Sequence, residues 1–320
     1  MDIYAEIKGI RYTPYLCKKL NVYDINCIDS KTLHKDATFI LNVNKNEIAV
    51  SWWVSPKRTR SYPYARVYDS LAFSGKKVTI IPLVKDEGRN GDRDFLQWDT
   101  VSLMSLLGIY VIIAYYVDAS KNLRHNNKIT DQLFDIDYIK DKIIELLNYQ
   151  SDALHWNLSQ LDNISIIGKK ALEAYYSISK RLGVKLHSTE GAEERIKKLS
   201  ESKESFINLS RELAEKAQKR ESVTIQPKEN LKGRKATLTI RNYLGGYYYF
   251  TCDEVKIEDD KVYLIEGKHT KTASLPSLED IKDGLLKMIL YSNLENISID
   301  NRSYQHIPVL KLTTGNITNI

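Results

Sequence analysis

The chain has 320 residues, of which 42% are hydrophobic and 28% charged, and its formal net charge is +6 with a sequence pI near 8.9. These values are typical of a globular protein with one large or two modest domains, and the mild positive charge permits a polyanionic partner. They exclude a membrane-spanning helix, because the longest apolar run, residues 108–117, has about half the required length.

The N terminus lacks the apolar core of a signal peptide, and the three isolated cysteines form neither a disulfide framework nor a paired zinc-ligand spacing. We therefore expect a cytoplasmic protein without a membrane partner. A helix is predicted over residues 97–108, ending at Gly108. β-Branched and aromatic runs predict strands around it, over 37–43, 47–54, 76–84 and 109–118. Residues 1–128 thus form a predicted α/β region.

Residues 129–225 are predicted to be helical. Ile136, Ile139, Ile143 and Leu146 recur at the three- and four-residue spacing of a helix face, and a second such stripe follows around Leu199. The charged residues between these apolar positions most simply form the solvent-exposed faces of the helices. This segment separates the N-terminal region from a third segment, 226–320.

The third segment returns to strands, predicted over 236–244, 247–257, 261–269 and 306–314. A helix is predicted between the last two, where Ser277 with Asp280 three residues later makes a capping-box-like start. Its predicted buried stripe consists of Leu278, Ile281, Leu285 and Met288. The fold class expected for the chain is α/β, with a mixed β-sheet flanked by helices.

Charged residues stand at an unusual place in the hairpin "TCDEVKIEDDKVYLIEGKHT", residues 251–270, because an apolar strand runs directly into Glu266 and Lys268. A two-residue or a four-residue turn in "EDDK" gives the same register, in which Asp253 lies opposite Glu266. Lys268, two residues further on, shares the face of Glu266. Glu254 pairs with Ile265 and points to the other face.

Two opposed carboxylates repel, and a divalent cation removes the conflict. Oxygen ligands at this separation suit Mg²⁺, which usually takes one or two carboxylates together with water and phosphate oxygens. A neighbouring Lys can hold or help to deprotonate an attacking water and can neutralise phosphate charge. The alternative is a surface salt bridge of Lys268 with Asp253 or Glu266.

Asp253, followed after twelve residues by Glu266-Gly267-Lys268, resembles the signature of the PD-(D/E)xK nucleases. The resemblance covers residues 235–295 and implies a restriction-endonuclease-like core. It also implies that Asp253, Glu266 and the carbonyl of Gly267 bind Mg²⁺ and that Lys268 serves the nucleophilic water. Cys252 departs from the pattern, because the family often has Pro at that position.

Other residues are candidates for supporting roles. Many nucleases of this family add an acidic residue from a preceding helix, for which Glu212 and Glu173 are candidates, each with the alternative of a solvated helix residue. Tyr247 and Tyr249 share the predicted face of Asp253 and could line a DNA groove. His269 is expected to pack or to contact phosphate.

A basic segment, residues 55–66, interleaves cations with aromatics, which suits a nucleic-acid backbone or base edge. Its candidates for DNA contact are Lys57, Arg58, Arg60, Tyr62 and Arg66. The alternative is a basic surface loop. The acidic loop 85–99 could hold a second metal ion but is more simply a loop, because no Glu-x-Lys spacing follows it.

These patterns lead to the hypothesis of a Type II restriction endonuclease that cuts double-stranded DNA with Mg²⁺. The N-terminal region and the helical segment would carry sequence recognition, and a palindromic site would favour a homodimer. One alternative is another nuclease of the same fold, acting in repair, in a mobile element or on RNA. A second is a non-catalytic DNA-binding protein.

Overall fold

The structure, a computed structural model, describes residues 1–29, 33, 35–56, 62–202, 204–209, 211–212, 216 and 234–316, with only the backbone of Tyr62 and Arg234. It divides into two compact units. The terminal unit comprises Met1–Leu16 with Ser210–Ile320, and the middle unit comprises Cys17–Leu209. The chain contains both helices and strands, and its largest sheet is mixed and flanked by helices. This confirms the predicted α/β class. Within the ranges described, no helix is both long and apolar enough to cross a membrane.

The strands are numbered in chain order as β1 (Asp2–Ile7), β2 (Asn21–Asp24), β3 (Thr38–Val43), β4 (Asn46–Trp52), β5 (Lys77–Pro82), β6 (Val84–Asp86), β7 (Arg93–Phe95), β8 (Ile109–Ala114), β9 (Tyr116–Lys121), β10 (Ile129–Phe134), β11 (Arg234–Asn242), β12 (Tyr247–Glu258), β13 (Lys261–Thr270), β14 (Glu295–Ile299), β15 (Arg302–Ser303) and β16 (Gln305–Thr314). The α-helices are α1 (Tyr62–Ser70), α2 (Trp98–Leu106), α3 (Ile136–Leu147), α4 (Ala153–Ser159), α5 (Ile164–Leu182), α6 (Thr189–Glu201) and α7 (Leu278–Ser292). Short 3₁₀ turns cover Ile25–Cys27 and Gln160–Asn163.

The large sheet belongs to the terminal unit and, over the described residues, has seven strands in the order β15-β14-β1-β11-β12-β13-β16. β1 is parallel to β11 and β13 is parallel to β16, whereas the β12–β13 pair is an antiparallel hairpin. Because β1 pairs with β11, the N-terminal strand lies in the same unit as the predicted nuclease segment 226–320. Sequence periodicity carries no information about such a pairing between distant strands.

The middle unit is built on a second mixed sheet, in which the described strands run β2-β3-β4-β5-β8. The strand predicted over 109–118 is two strands, because β8 ends at Ala114 in this sheet and β9 pairs with β10 in a separate hairpin. The helix prediction is wrong at the start of its segment, where β10 is extended. Helix α3 begins only after Asp135, whose carboxylate accepts the N–H of Tyr138.

Helix α7 packs on β13 and β16 of the large sheet and begins as predicted, because Ser277 Oγ accepts the N–H of Asp280. The predicted buried stripe is wrong, since Leu278 is 48% exposed. The side chains turned into the unit are instead Lys282, Asp283, Leu286, Leu290 and Tyr291. A helix that buries charge while exposing leucine indicates a polar partner beneath it.

Candidate active site

The β12–β13 hairpin has the predicted register. Glu258 lies opposite Lys261, and Glu254 opposite Ile265, around the two-residue turn Asp259-Asp260. The backbone pairing of the two strands ends at Glu254 and Ile265, one step before Asp253 and Glu266. There, Asp253 Oδ2 accepts the N–H of Gly267 at 2.8 Å. The carboxylate of Asp253 thus takes over a ladder hydrogen bond at the point where the strands separate.

A β-bulge stands at the same point on the other edge of β12. Ala236 pairs with Cys252 but Arg234 pairs with Val255, so β12 contains one extra residue there. Bulges bend a strand and re-aim its side chains, and they are frequent beside active sites. The buried thiol of Cys252 lies 3.3 Å from the carbonyl of Glu254 and 3.4 Å from that of Ile265, so it contacts both strands of the hairpin beside the bulge.

Glu266 is the buried centre of the site, with 2% of the residue exposed. Its Oε1 accepts from Lys268 Nζ at 2.9 Å and from Lys287 Nζ at 2.8 Å. Its Oε2 is buried and has no hydrogen-bond partner among the described residues. Burial by itself raises the pKa of Glu266, but the ammonium groups of Lys287 and Lys268 outweigh it and hold the pKa below its ordinary value.

Lys268 bridges the strand and the helix. Its ammonium group lies 2.5 Å from Asp283 Oδ2 and 2.9 Å from Glu266 Oε1, which confirms that Lys268 and Glu266 share a face. Burial lowers the pKa of Lys268, and the carboxylates of Glu266 and Asp283 raise it further than burial lowers it. Lys268 is therefore held as a cation.

Two residues of α7 complete the charged cluster, and the sequence analysis missed both. Asp283 and Lys287 stand one helical turn apart and face β13, where they contact Lys268 and Glu266 respectively. Four buried or half-buried side chains thus form a row of alternating charge: Asp283, Lys268, Glu266 and Lys287. The signal in the sequence was the polar stripe Asp283-Lys287-Tyr291 at four-residue spacing along the helix.

Gly284 allows α7 to lie close to the row. A Cβ atom at this position would stand 2.6 Å from Leu310 Cδ1 and 3.4 Å from Lys268 Cε. Gly284→Val is therefore expected to lower the free energy of unfolding by about 2 kcal/mol, because its methyl groups overpack this contact. Thermal unfolding measures the change. Gly9→Val is the control, since a Cβ at Gly9 meets nothing within 4 Å. Equal melting temperatures for both variants would contradict the prediction.

The candidates for an additional acidic residue are both exposed. Glu173 lies on α5 of the middle unit, and Glu212 belongs to the terminal unit. Their participation in the site stays a prediction. His269 is half-buried, and its Nδ1 lies 2.9 Å from Thr313 Oγ1. Its role in packing or in phosphate contact stays a prediction.

Tyr247 and Tyr249 stack on each other with ring centroids 6.1 Å apart. Alternation along β12 puts them on the opposite face from Cys252, whose thiol pKa is raised to about 12 by burial, Glu266 and Asp253. The β-bulge reverses the alternation between Cys252 and Val255. The prediction that the two tyrosines share the face of Asp253 and line a DNA groove stays a prediction.

Most of the predicted basic segment lies outside the described residues, namely Lys57, Arg58, Arg60 and the side chain of Tyr62. Arg66 is described, and its side chain makes contacts within the middle unit. Its guanidinium group donates to the carbonyl of Trp52 at 2.6 Å and stacks over the Trp52 ring at 4.4 Å. DNA contact by this segment stays a prediction.

Carboxylates of the acidic loop 85–99 have protein partners. Asp86 Oδ1 accepts the N–H of Gly88 and lies 2.8 Å from His187 Nδ1. Glu87 forms ion pairs with Lys85 and Lys128. Over the described part of the chain, no group of three or more His, Cys, Asp or Glu side chains is arranged to hold a metal ion.

The hairpin has a smaller set of oxygen atoms that could hold Mg²⁺, namely the carboxylates of Asp253 and Glu266 and the backbone carbonyl of Gly267. Two carboxylates suffice for Mg²⁺, which keeps water and substrate oxygens for its other positions. The buried Oε2 of Glu266 supports the fit, because an acceptor without a hydrogen bond is costly unless something binds it.

No protein-family model matches the chain, and comparison with curated proteins and with solved structures finds no match. The functional interpretation therefore depends on the geometry of the described side chains.

Proposed function

We propose that the chain is a Mg²⁺-dependent nuclease that hydrolyses phosphodiester bonds of double-stranded DNA, with Asp253, Glu266 and Lys268 at its centre. One observation carries the proposal: a nearly fully buried Glu266 shares a face with Lys268 beside Asp253 and keeps one oxygen without a hydrogen bond. Ion pairs with only a structural role seldom contain a buried carboxylate oxygen without a hydrogen bond, whereas such costly groups are common in active sites.

Asp253, Glu266 and the carbonyl of Gly267 would hold the ion. A bound Mg²⁺ supplies Lewis acidity, which favours ionisation of a water ligand and neutralises phosphate charge. Lys268 is a cation paired with Glu266 and Asp283, and its ammonium group can orient the attacking water and stabilise negative charge on the phosphoryl oxygens. Asp283 holds this group in place at 2.5 Å. A 3′-oxygen leaves on the side opposite the attacking water.

A Type II restriction endonuclease is the proposed class of nuclease. The sequence has no G-x-x-x-x-G-K-[ST] pattern, which would be expected of an ATP-driven nuclease. The middle unit has its own sheet and core and is the proposed carrier of sequence recognition. A palindromic target would favour a homodimer. The proposed location of the activity is the cytoplasm.

Incubation of the purified chain with unmethylated phage DNA is expected to give discrete fragments with Mg²⁺ and intact DNA with a chelator. End mapping of the fragments then gives the recognised site. Asp253→Asn is the matched control, because it replaces one carboxylate without changing the size of the side chain. Smeared products or cleavage of RNA would contradict the restriction class, and uncut DNA under all Mg²⁺ conditions would contradict the nuclease itself.

A further inference from the structure

Lys287 forms the second ion pair of Glu266. Its Nζ lies 2.8 Å from Glu266 Oε1, and the side chain is 19% exposed. Asp283 stands one helical turn before Lys287 on α7 and pairs with Lys268, and Asp253 accepts the N–H of Gly267, the residue after Glu266. Lys287 thus stands among three acidic side chains as a fixed positive charge.

Lys287 and Lys268 have different second partners. Lys268 has Asp283 at 2.5 Å in addition to Glu266, so it remains paired if Glu266 turns to another ligand. The ion pair described for Lys287 is with Glu266 alone among carboxylates within 4 Å in the described residues. An ion that binds Glu266 therefore competes chiefly with Lys287.

We propose that Lys287 is a built-in counter-cation that sets the divalent-ion affinity of this site, because it neutralises Glu266 when the ion is absent and opposes the ion when it binds. The inference rests on the proposed function, since it concerns the same metal site. Its consequence is that the site keeps only one net negative charge without an ion and binds the ion weakly until a substrate phosphate adds negative charge.

Charge counting gives the direction of the effect. The three carboxylates of Asp253, Glu266 and Asp283 against two ammonium groups leave one negative charge to attract a divalent ion. Lys287→Gln doubles this charge, and a unit charge within several ångströms of a dication changes its affinity by about tenfold or more even when strongly screened. Lys287→Arg retains the charge and is expected to bind ions as the wild type does.

The test is a calorimetric titration of the protein with Mn²⁺ in the absence of DNA, which measures the affinity for the ion. We expect Lys287→Gln to bind Mn²⁺ at least about tenfold more tightly than the wild type. Lys311→Gln is the matched control, because Lys311 pairs with Glu254 at 3.0 Å on the other face of the hairpin. It makes the same change in the net charge of the protein and is expected to leave the affinity unchanged.

Asp253→Asn separates this inference from the proposed function. If Asp253→Asn weakens Mn²⁺ binding but Lys287→Gln does not tighten it, the inference is overturned and the metal site stands. If neither the wild type nor Lys287→Gln binds Mn²⁺ saturably, or if Asp253→Asn binds as tightly as the wild type, the proposed metal site fails as well.

Melting temperatures provide a second readout in case Lys287→Gln folds poorly without an ion. A ligand that binds only the folded state raises the melting temperature more when it binds more tightly. Mn²⁺ is therefore expected to raise the melting temperature of Lys287→Gln more than that of the wild type. An equal or smaller rise would contradict the proposal.

Discussion

Lys268→Ala is expected to abolish Mg²⁺-dependent DNA cleavage, with a loss of at least about 10³-fold in kcat/KM, while DNA binding is retained. The side chain removed is the ammonium group held between Glu266 and Asp283, and no other group of the described row can donate from the same position. Cleavage of supercoiled plasmid gives the rate, and a gel-shift titration without Mg²⁺ gives the affinity for DNA.

Lys256→Ala is the control for this experiment. Lys256 lies on the same hairpin but pairs with Glu258 at the exposed end near the turn. Lys256→Ala therefore removes one positive charge from the hairpin, as Lys268→Ala does, but outside the charged row. It is expected to leave the rate unchanged. Cleavage by Lys268→Ala at the wild-type rate would show that the charged row is a structural ion pair.

Asp253→Ala is expected to cause a loss similar to that of Lys268→Ala, and the double variant should be little worse than either single one. Residues that act together on one step show such non-additive losses. Multiplied losses in the double variant would indicate that the two residues act on separate steps.

The register of the site hairpin could be predicted from the sequence because a short turn leaves little freedom. Both turn lengths considered for "EDDK" put Glu254 opposite Ile265, as observed. The common face of Glu266 and Lys268 follows from the two-residue repeat of a strand. The bulge at Asp253-Glu254 could not be predicted, because it depends on how β12 also pairs with β11.

Helix α7 shows where hydrophobic periodicity misleads. The rule assigns the buried face to leucine and isoleucine, but the face opposite β13 must match Glu266 and Lys268, so Asp283 and Lys287 turn inward and Leu278 stays exposed. The β14–β15 hairpin was not predicted, although the sequence carries a signal for it. Its turn residues Asp300 and Asn301 both have positive φ, and an Asp-Asn turn between short strands is a recognisable hairpin signal.

Glu266→Gln is expected to lower the free energy of unfolding by about 3 kcal/mol at pH 7, because it leaves Lys287 as a largely buried ammonium group without its carboxylate. The ammonium group of Lys268 loses less stabilisation in this variant, since Asp283 still pairs with it. Glu254→Gln is the matched control, from the adjacent strand on the opposite face, where Lys311 is 41% exposed. Its cost is expected to stay below about 1 kcal/mol. Chemical denaturation of both variants measures the difference.

The pH dependence of the same comparison gives a second check. The two lysines hold the pKa of Glu266 below its ordinary value of 4.5, so its ionised form stabilises the fold above that pH. This contribution is lost as the pH falls through the lowered pKa, and Gln at the same position has none to lose. The stability gap between the wild type and Glu266→Gln should therefore be full at neutral pH and shrink in acid. A gap that stays constant from neutral to strongly acidic pH would mean that Glu266 stabilises the fold by its packing and not by its charge.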